Sequence, residues 1–295
     1  TEPSERIRRS PIHRVDAVFQ HGSRGMGARI GVGLLGLGTV GGGVAEILLN
    51  PEERHPLVAD LDLIRVAVRD VNRPRTVDLA DAVLTTDPSE VVNDPNVDVV
   101  VEVIGGIEPA RSLILQAIAN GKSVVTANKA VIARHGPEIA SAAKAAGVYV
   151  LIEAAVGGGI PIIEPLKQSL GGNRINRVSG IINGTTNYIL TRMADEGAAY
   201  ADVLAEAQRL GYAEADPAAD VDGLDAADKI SILSALAFGG TVDRDALPTT
   251  GISALQGRDV EYARQLGYGV KLLAVAERLA GQGDPLPLSL RVQPT

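Results

Sequence analysis

Between Ile30 and Val150 the chain alternates short aliphatic runs with stretches of helical period, and that alternation narrows the possible folds more than any other feature. "RIGVGLL" reads as a strand, "TVGGGVAEILL" as a helix and "LDLIRVAVRD" as a strand. "VDVVVEVIG" is an aliphatic strand with almost no polar interruption. "EPARSLILQAIANGK" follows as a helix closed by Gly121, "SVVTAN" as a strand, and "PEIASAAKAAG" as a helix ending at Gly147. Strands apolar on both faces, each followed by a helix, make parallel βαβ units and a doubly wound α/β sheet. After "VYVLIEAAVGGGIPII" the rhythm changes to one strand, "INRVSGIIN", and several helices: "TTNYILTRMADEG", "YADVLAEAQRLG", "DGLDAADKISILSALAFG" and "DVEYARQLG". "VKLLAVAERLA" fits helix or strand by period alone. A change of domain is expected near residue 155.

The turn after the first strand, "GLGTVG", spaces Gly36, Gly38 and Gly41 as G-x-G-x-x-G, with Leu37, Thr39 and Val40 between them. Among 33 glycines the spacing alone is weak, but this one follows a strand, opens a helix and starts a βαβ unit. In that setting the first glycine makes the turn, the second lets a pyrophosphate approach and the third lets helix and strand pack. Helix N–H groups then meet the phosphates. Residues 30–155 are therefore expected to be a Rossmann-type dinucleotide-binding domain. The second strand ends in Arg69 and then Asp70, where an acid would bind the ribose of NAD and an arginine the phosphate of NADP. Arg69 comes first, so NADP is expected, with NAD tolerated.

Composition removes other classes. The chain of 295 residues carries a net charge of −8, with 3% aromatics and no Trp, against the basic, stacking surface that nucleic acid requires. No apolar stretch approaches the roughly 20 residues that span a bilayer. The absence of Cys excludes disulfides and thiolate metal sites and suits a cytoplasmic protein. Residues 1–29 hold six Arg without apolar period or a secretory apolar segment, and are expected to be a disordered extension, with Met26 a possible start.

Two lysines stand out. Asn128 and Lys129, in "SVVTANKAVI", fall just past a strand's carboxyl end, where ligands of such sheets lie. Lys129 is either beside the nicotinamide or a surface lysine at a helix start. The second lysine closes the segment 211–231, where Glu214, Asp216, Asp220, Asp222, Asp225 and Asp228 surround Lys229. Asp222 is positioned to cap the following helix, with Asp225 in its first turn. Asp225 and Lys229 are four apart, on the side that continues through Ile232, Leu233 and Leu236. A solvated salt bridge is one reading, a proton-transfer or substrate-holding pair at the rim of a core the other.

"GLGTVG", "VVTANKA", "EAAVGGGIPII", "GIINGTTNYIL" and "GYAEADPAADVDGLDAADK" occur in the order and spacing of the homoserine dehydrogenases, and from about Ile30 onward the chain resembles that family. The resemblance implies NADP- or NAD-dependent interconversion of aspartate 4-semialdehyde and homoserine, on the route to threonine, isoleucine and methionine. It implies a catalytic and dimerisation domain of α+β type over residues 156–295, and a homodimer. Lys229 matches the family's proton donor and Lys129 a second lysine near the reacting oxygen. Glu214 and Asp225 match the acids that hold the substrate ammonium, while Gly36 to Gly41, Arg69, Asn128, Lys129 and Gly211 would line the cofactor. A monovalent cation, Na or K, would be held by Glu153, Val156, Gly158 and Ile160, a stretch that taken alone reads as a simple turn. The family continues beyond "LSLRVQPT", so an incomplete catalytic domain is expected, and a non-catalytic dinucleotide-binding remnant is the alternative to an active enzyme.

Overall fold

The computed structural model describes residues 29–80, 83–279 and 287–295. Six strands form one parallel sheet: β1 (Ile30–Leu35), β2 (Leu61–Ala67), β3 (Leu84–Thr85), β4 (Val99–Glu102), β5 (Ser123–Thr126) and β6 (Val150–Leu151). Their order is β3-β2-β1-β4-β5-β6, so the winding reverses between β1 and β4. Leu34, Leu35, Val66, Val100 and Val124 are fully buried, as strands covered on both faces require. The connecting helices are α1 (Thr39–Leu49), α2 (Pro88–Asn93), α3 (Ala110–Ala119) and α4 (Lys129–Ala146).

Two expectations change here. The strand read from "VDVVVEVIG" ends at Glu102, because the carboxylate of that residue draws the following backbone out of the sheet, as described below. The helix expected to begin near Pro137 begins at Lys129 and contains Pro137. Proline costs a helix one hydrogen bond and crowds the preceding turn. Here Val131, Ile132 and Ala133 before it and Ile139 and Ala143 after it are buried, and that packing holds one continuous rod.

From Glu153 the chain makes a single 3₁₀ turn, Glu153–Ala155, and a π-helical turn, Pro165–Ser169. It continues through β7 (Arg177–Gly180), α5 (Gly184–Glu196), α6 (Tyr200–Arg209), α7 (Ala218–Val221), α8 (Leu224–Phe238), α9 (Gly257–Gln265), β8 (Leu272–Arg278) and β9 (Leu288–Pro294). The last two strands join β7 in an antiparallel sheet of order β7-β8-β9. This resolves the ambiguous "VKLLAVAERLA" as a strand, since β8 is paired along both edges. Helix α8 packs on that sheet and also against α4, and one apolar cluster runs through Val131, Ile139, Ile163, Ile189, Ile230, Leu233 and Ala274.

Asp222 does not cap α8. It closes the short α7, while Gly223, at φ 81°, occupies the cap position with no side-chain bond. A Cβ there would also lie 3.1 Å from Thr249 and 3.2 Å from Val292. The expectation for residues 1–28 lies outside the described residues; Arg29 pairs with Asp62 at 2.7 Å.

Candidate active site at the meeting of two sheets

The glycine turn has the geometry its spacing predicts. Gly36 sits at φ 100°, where L side chains are strained, and its N–H donates to Ala67 O at 3.0 Å. A Cβ on Gly41 would lie 2.1 Å from Gly36 O, so the third glycine is required for α1 to leave β1 at this angle. Helix α1 has no side-chain cap and no acid in its first turn, and a Cβ on Gly38 would meet open space. Thr39 and Val40 are exposed at the same end. Uncapped N–H groups over an open cradle suit a pyrophosphate, so the residues present fit a dinucleotide. At the end of β2, Arg69 is exposed and has no side-chain partner among the described residues. Asp70 turns back to accept the Asn72 N–H at 2.8 Å. The loop beyond, which sequence reasoning passed over, carries Arg73 and Arg75, and the Arg75 guanidinium folds back to donate to Val71 O, Arg73 O and Asp70 O. Thr76 of the same loop lies 3.5 Å from where a Cβ on Gly42 of α1 would sit.

On the other side of the switch point the two lysines meet one acid. Lys129 Nζ, from the first turn of α4, is 3.1 Å from Asp225 Oδ1, and Lys229 Nζ, from α8, is 2.7 Å from Asp225 Oδ2. Lys229 also donates to Ile182 O at 2.9 Å. Asn183 donates to Asp225 Oδ2 at 3.0 Å and to Asp220 Oδ1 at 2.7 Å, while its own oxygen caps α5 through Thr186 N. Asp225 is only 7% exposed, against 19% for Lys229 and 38% for Lys129. Burial alone would raise its pKa; the charge and hydrogen bond of Lys229, with help from Asn183 and Lys129, outweigh burial and hold the carboxyl below its usual value.

The rest of the acidic segment disperses instead of surrounding Lys229. Asp228 binds Arg134 of α4 at 3.0 Å and the buried Arg244, Asp222 accepts from Ser253, and Asp216 accepts from Ala218 N–H. Glu214 is exposed, and among the described residues its carboxylate has no hydrogen bond or ion pair, so the structure does not bring it onto Asp225. Its loop is tied nearby, through Thr185 Oγ1 donating to Tyr212 O at 2.8 Å. Gly211 lies on that loop, exposed, at φ 78°.

Two further carboxylates organise loops. Glu153 accepts N–H bonds from Ile162 at 2.7 Å, Ile163 at 3.0 Å and Glu164 at 2.9 Å. Burial opposes its ionisation, but those three donors and the charge of Lys167 hold its pKa low. Its side chain is thus a staple for the loop of Val156, Gly158 and Ile160, and among the described residues no group of three or more His, Cys, Asp or Glu could hold a metal. Glu102, fully buried at the end of β4, was missed in the sequence because one acid among valines reads as a strand interruption. Its place at the carboxyl end of a central strand was the available signal.

Two family models match the chain: "Homoserine dehydrogenase, NAD binding domain" over residues 36–153 and "Homoserine dehydrogenase" over residues 161–295. A homoserine dehydrogenase of Synechocystis is 61% identical over 90% of this chain and 61% of its own length. A crystal structure of a homoserine dehydrogenase from Thiobacillus denitrificans is 53% identical, with a TM-score of 0.80, over 90% of this chain and 61% of that one. A structure from Archaeoglobus fulgidus, provisionally named a homoserine dehydrogenase, is 32% identical with a TM-score of 0.75, and the match covers 83% of its length. The chain belongs to the homoserine dehydrogenase family. A hyperthermophilic archaeal homoserine dehydrogenase in complex with NADPH is also similar, at 28% identity and a TM-score of 0.71 over 90% of this chain and 82% of that one. The homoserine dehydrogenase of Synechocystis and other bacterial relatives are longer, and the chain spans about 61% of their length. Among the described residues no helix is long and apolar enough to cross a membrane.

Proposed function

We propose that this chain carries the cofactor and substrate sites of a homoserine dehydrogenase, interconverting homoserine and aspartate 4-semialdehyde with NADP. The observation that carries the reading is the buried Asp225 held between Lys129 of one half and Lys229 of the other. A bound nicotinamide supplies or accepts the hydride at the carbon that is aldehyde or alcohol. Lys229 gives the reacting oxygen its proton, through the ammonium that Asp225 and Ile182 O orient. Lys129, the more exposed of the two, steadies that oxygen from the cofactor side. Both oxygens of Asp225 are already engaged, so its part is to position the lysines, and Glu214 is the carboxylate left for the substrate ammonium. Asn128, Gly211 and the turn from Gly36 to Gly41 line the cofactor.

Preference for NADP rests on Arg69, with Arg73 and Arg75 in the adjoining loop, and on Asp70 being turned into its own Asx turn. A monovalent cation in the loop of Val156, Gly158 and Ile160 would draw on main-chain oxygens, because the Glu153 carboxylate is engaged by three N–H groups. Residues 30–155 form the dinucleotide-binding domain and 156–295 the substrate domain, and the molecule pairs as a homodimer through the latter.

The test is homoserine-dependent reduction of NADP⁺, followed by NADPH absorbance, in the wild type and in K229A. Turnover in the wild type with a fall of about 10²-fold or more in K229A is expected, the usual scale for a general acid. Cofactor binding without turnover would leave a dinucleotide-binding protein and no enzyme.

A further inference from the structure

Glu102 carries out no step of that chemistry, yet it is the most completely enclosed carboxylate of the molecule's cofactor edge, with no exposure at all. Its Oε1 accepts from Ile104 N–H at 3.0 Å, Gly105 N–H at 3.4 Å and Asn128 Nδ2 at 3.4 Å, and its Oε2 accepts from Thr126 Oγ1 at 2.6 Å. The Thr126 oxygen itself accepts the Asn128 N–H at 2.9 Å. Its hydroxyl proton is therefore the one that points at Glu102. Every one of these contacts is a donor aimed at the carboxylate. The arrangement fits an anion held by neutral donors, and among the described residues no cation pairs with it.

Its position gives that charge a use. The crevice opens between β1 and β4, and the adenosine side of a dinucleotide lies toward the end of β2, where Arg69 stands. The nicotinamide side then lies over the ends of β4 and β5, the two strands whose last residues are Glu102 and Thr126. Val103 O comes within 3.0 Å of where a Cβ on Gly36 would sit, so the loop that Glu102 holds abuts the glycine turn. Asn128, whose amide also donates to Gly106 O at 2.7 Å, ties the same loop to the start of α4 and so to Lys129. Oxidised nicotinamide is a cation and reduced nicotinamide is neutral. A fixed anion at the end of β4, close to where the ring would bind, would attract only the first.

We propose that Glu102 is a positioning residue with an electrostatic effect: it joins the loops after β4 and β5, and its charge favours the oxidised nicotinamide over the reduced one. The inference rests on the cofactor assignment above. Dissociation constants of NADP⁺ and NADPH measured by equilibrium dialysis on the wild type, E102Q and E102D separate the two roles. In E102Q the ratio of the NADP⁺ constant to the NADPH constant is expected to rise on the order of tenfold, the scale of a unit charge acting across the edge of a protein site. In E102D, which keeps the charge on a shorter arm, both constants rise and their ratio stays within about twofold of the wild type. An unchanged ratio in E102Q overturns the inference and leaves the function standing. A tenfold shift in E102D overturns it too, and serves as the test if E102Q does not fold. A wild-type chain that binds neither nucleotide removes the cofactor reading and this inference together.

Discussion

Asp225 shows why the site depends on single groups. Its carboxylate is nearly enclosed and is shared by two ammonium groups and an amide, so removing its charge leaves two lysines with no common partner. D225N is expected to lower turnover by roughly 10²-fold, measured as homoserine-dependent NADPH formation. Its pKa is lowered in the folded chain, against a reference of 3.8. A lowered carboxylate pKa adds stability that is fully present above the unfolded value and lost as pH falls through the folded one. Urea unfolding between pH 2 and pH 6 should therefore show a shallower acid decline for D225N than for the wild type. Identical slopes would mean that Asp225 is no more stabilised as an anion in the fold than out of it. Glu153 is a separate case of the same physics, with three backbone donors in place of lysines. E153A strands those N–H groups and is expected to cost about 1–3 kcal/mol in chemical denaturation.

Among the elements, α4 and α8 decide how the halves meet. Lys129 and Arg134 of α4 face Asp225 and Asp228 of α8, and Arg244 adds a second guanidinium to Asp228. D228A would leave Arg244, only 5% exposed, without its carboxylate, and a loss of about 3–5 kcal/mol is expected from thermal or urea unfolding. Several of these elements are legible from sequence for physical reasons. Helix α1 coincides with the run "TVGGGVAEILL", because a Gly-x-Gly turn and an aliphatic stripe both mark it. Asp225, Ile232 and Leu233 of the expected stripe on α8 are buried. So are Ala226, Ala227, Asp228 and Ser231 on its other sides, while Lys229 and Leu236 are half-buried, because this helix is packed nearly all round. Pro137 hides the true length of α4, since local propensity argues for a break that only tertiary packing overrules. Asp222 misleads for the opposite reason: a good capping residue stands in place, but a preceding turn of helix already uses it. The partners of Asp228 lie 94 and 16 residues away, beyond any local pattern.

At the scale of the molecule, a parallel sheet built for a dinucleotide meets an antiparallel sheet across one continuous apolar cluster. Periodicity foretold β1, β2, β4 and β5 of the first sheet and passed over the two-residue strands β3 and β6, which are too short to carry a period. It left the second open, because an aliphatic run such as "LLAVAER" becomes a strand only through partners distant in sequence. The contact of the lysines with Asp225 also needed the fold, since spacing shows that 225 and 229 share a face but not that residue 129 arrives there. The helix α4 starts one residue after Asn128, which Glu102 holds, and reaches α8 through charges at Lys129 and Arg134. It therefore acts as a ruler with its zero mark in the cofactor crevice. A single residue inserted between Asn128 and Lys129 would rotate the rod by about 100°, misplacing both basic side chains at once while leaving each half able to fold.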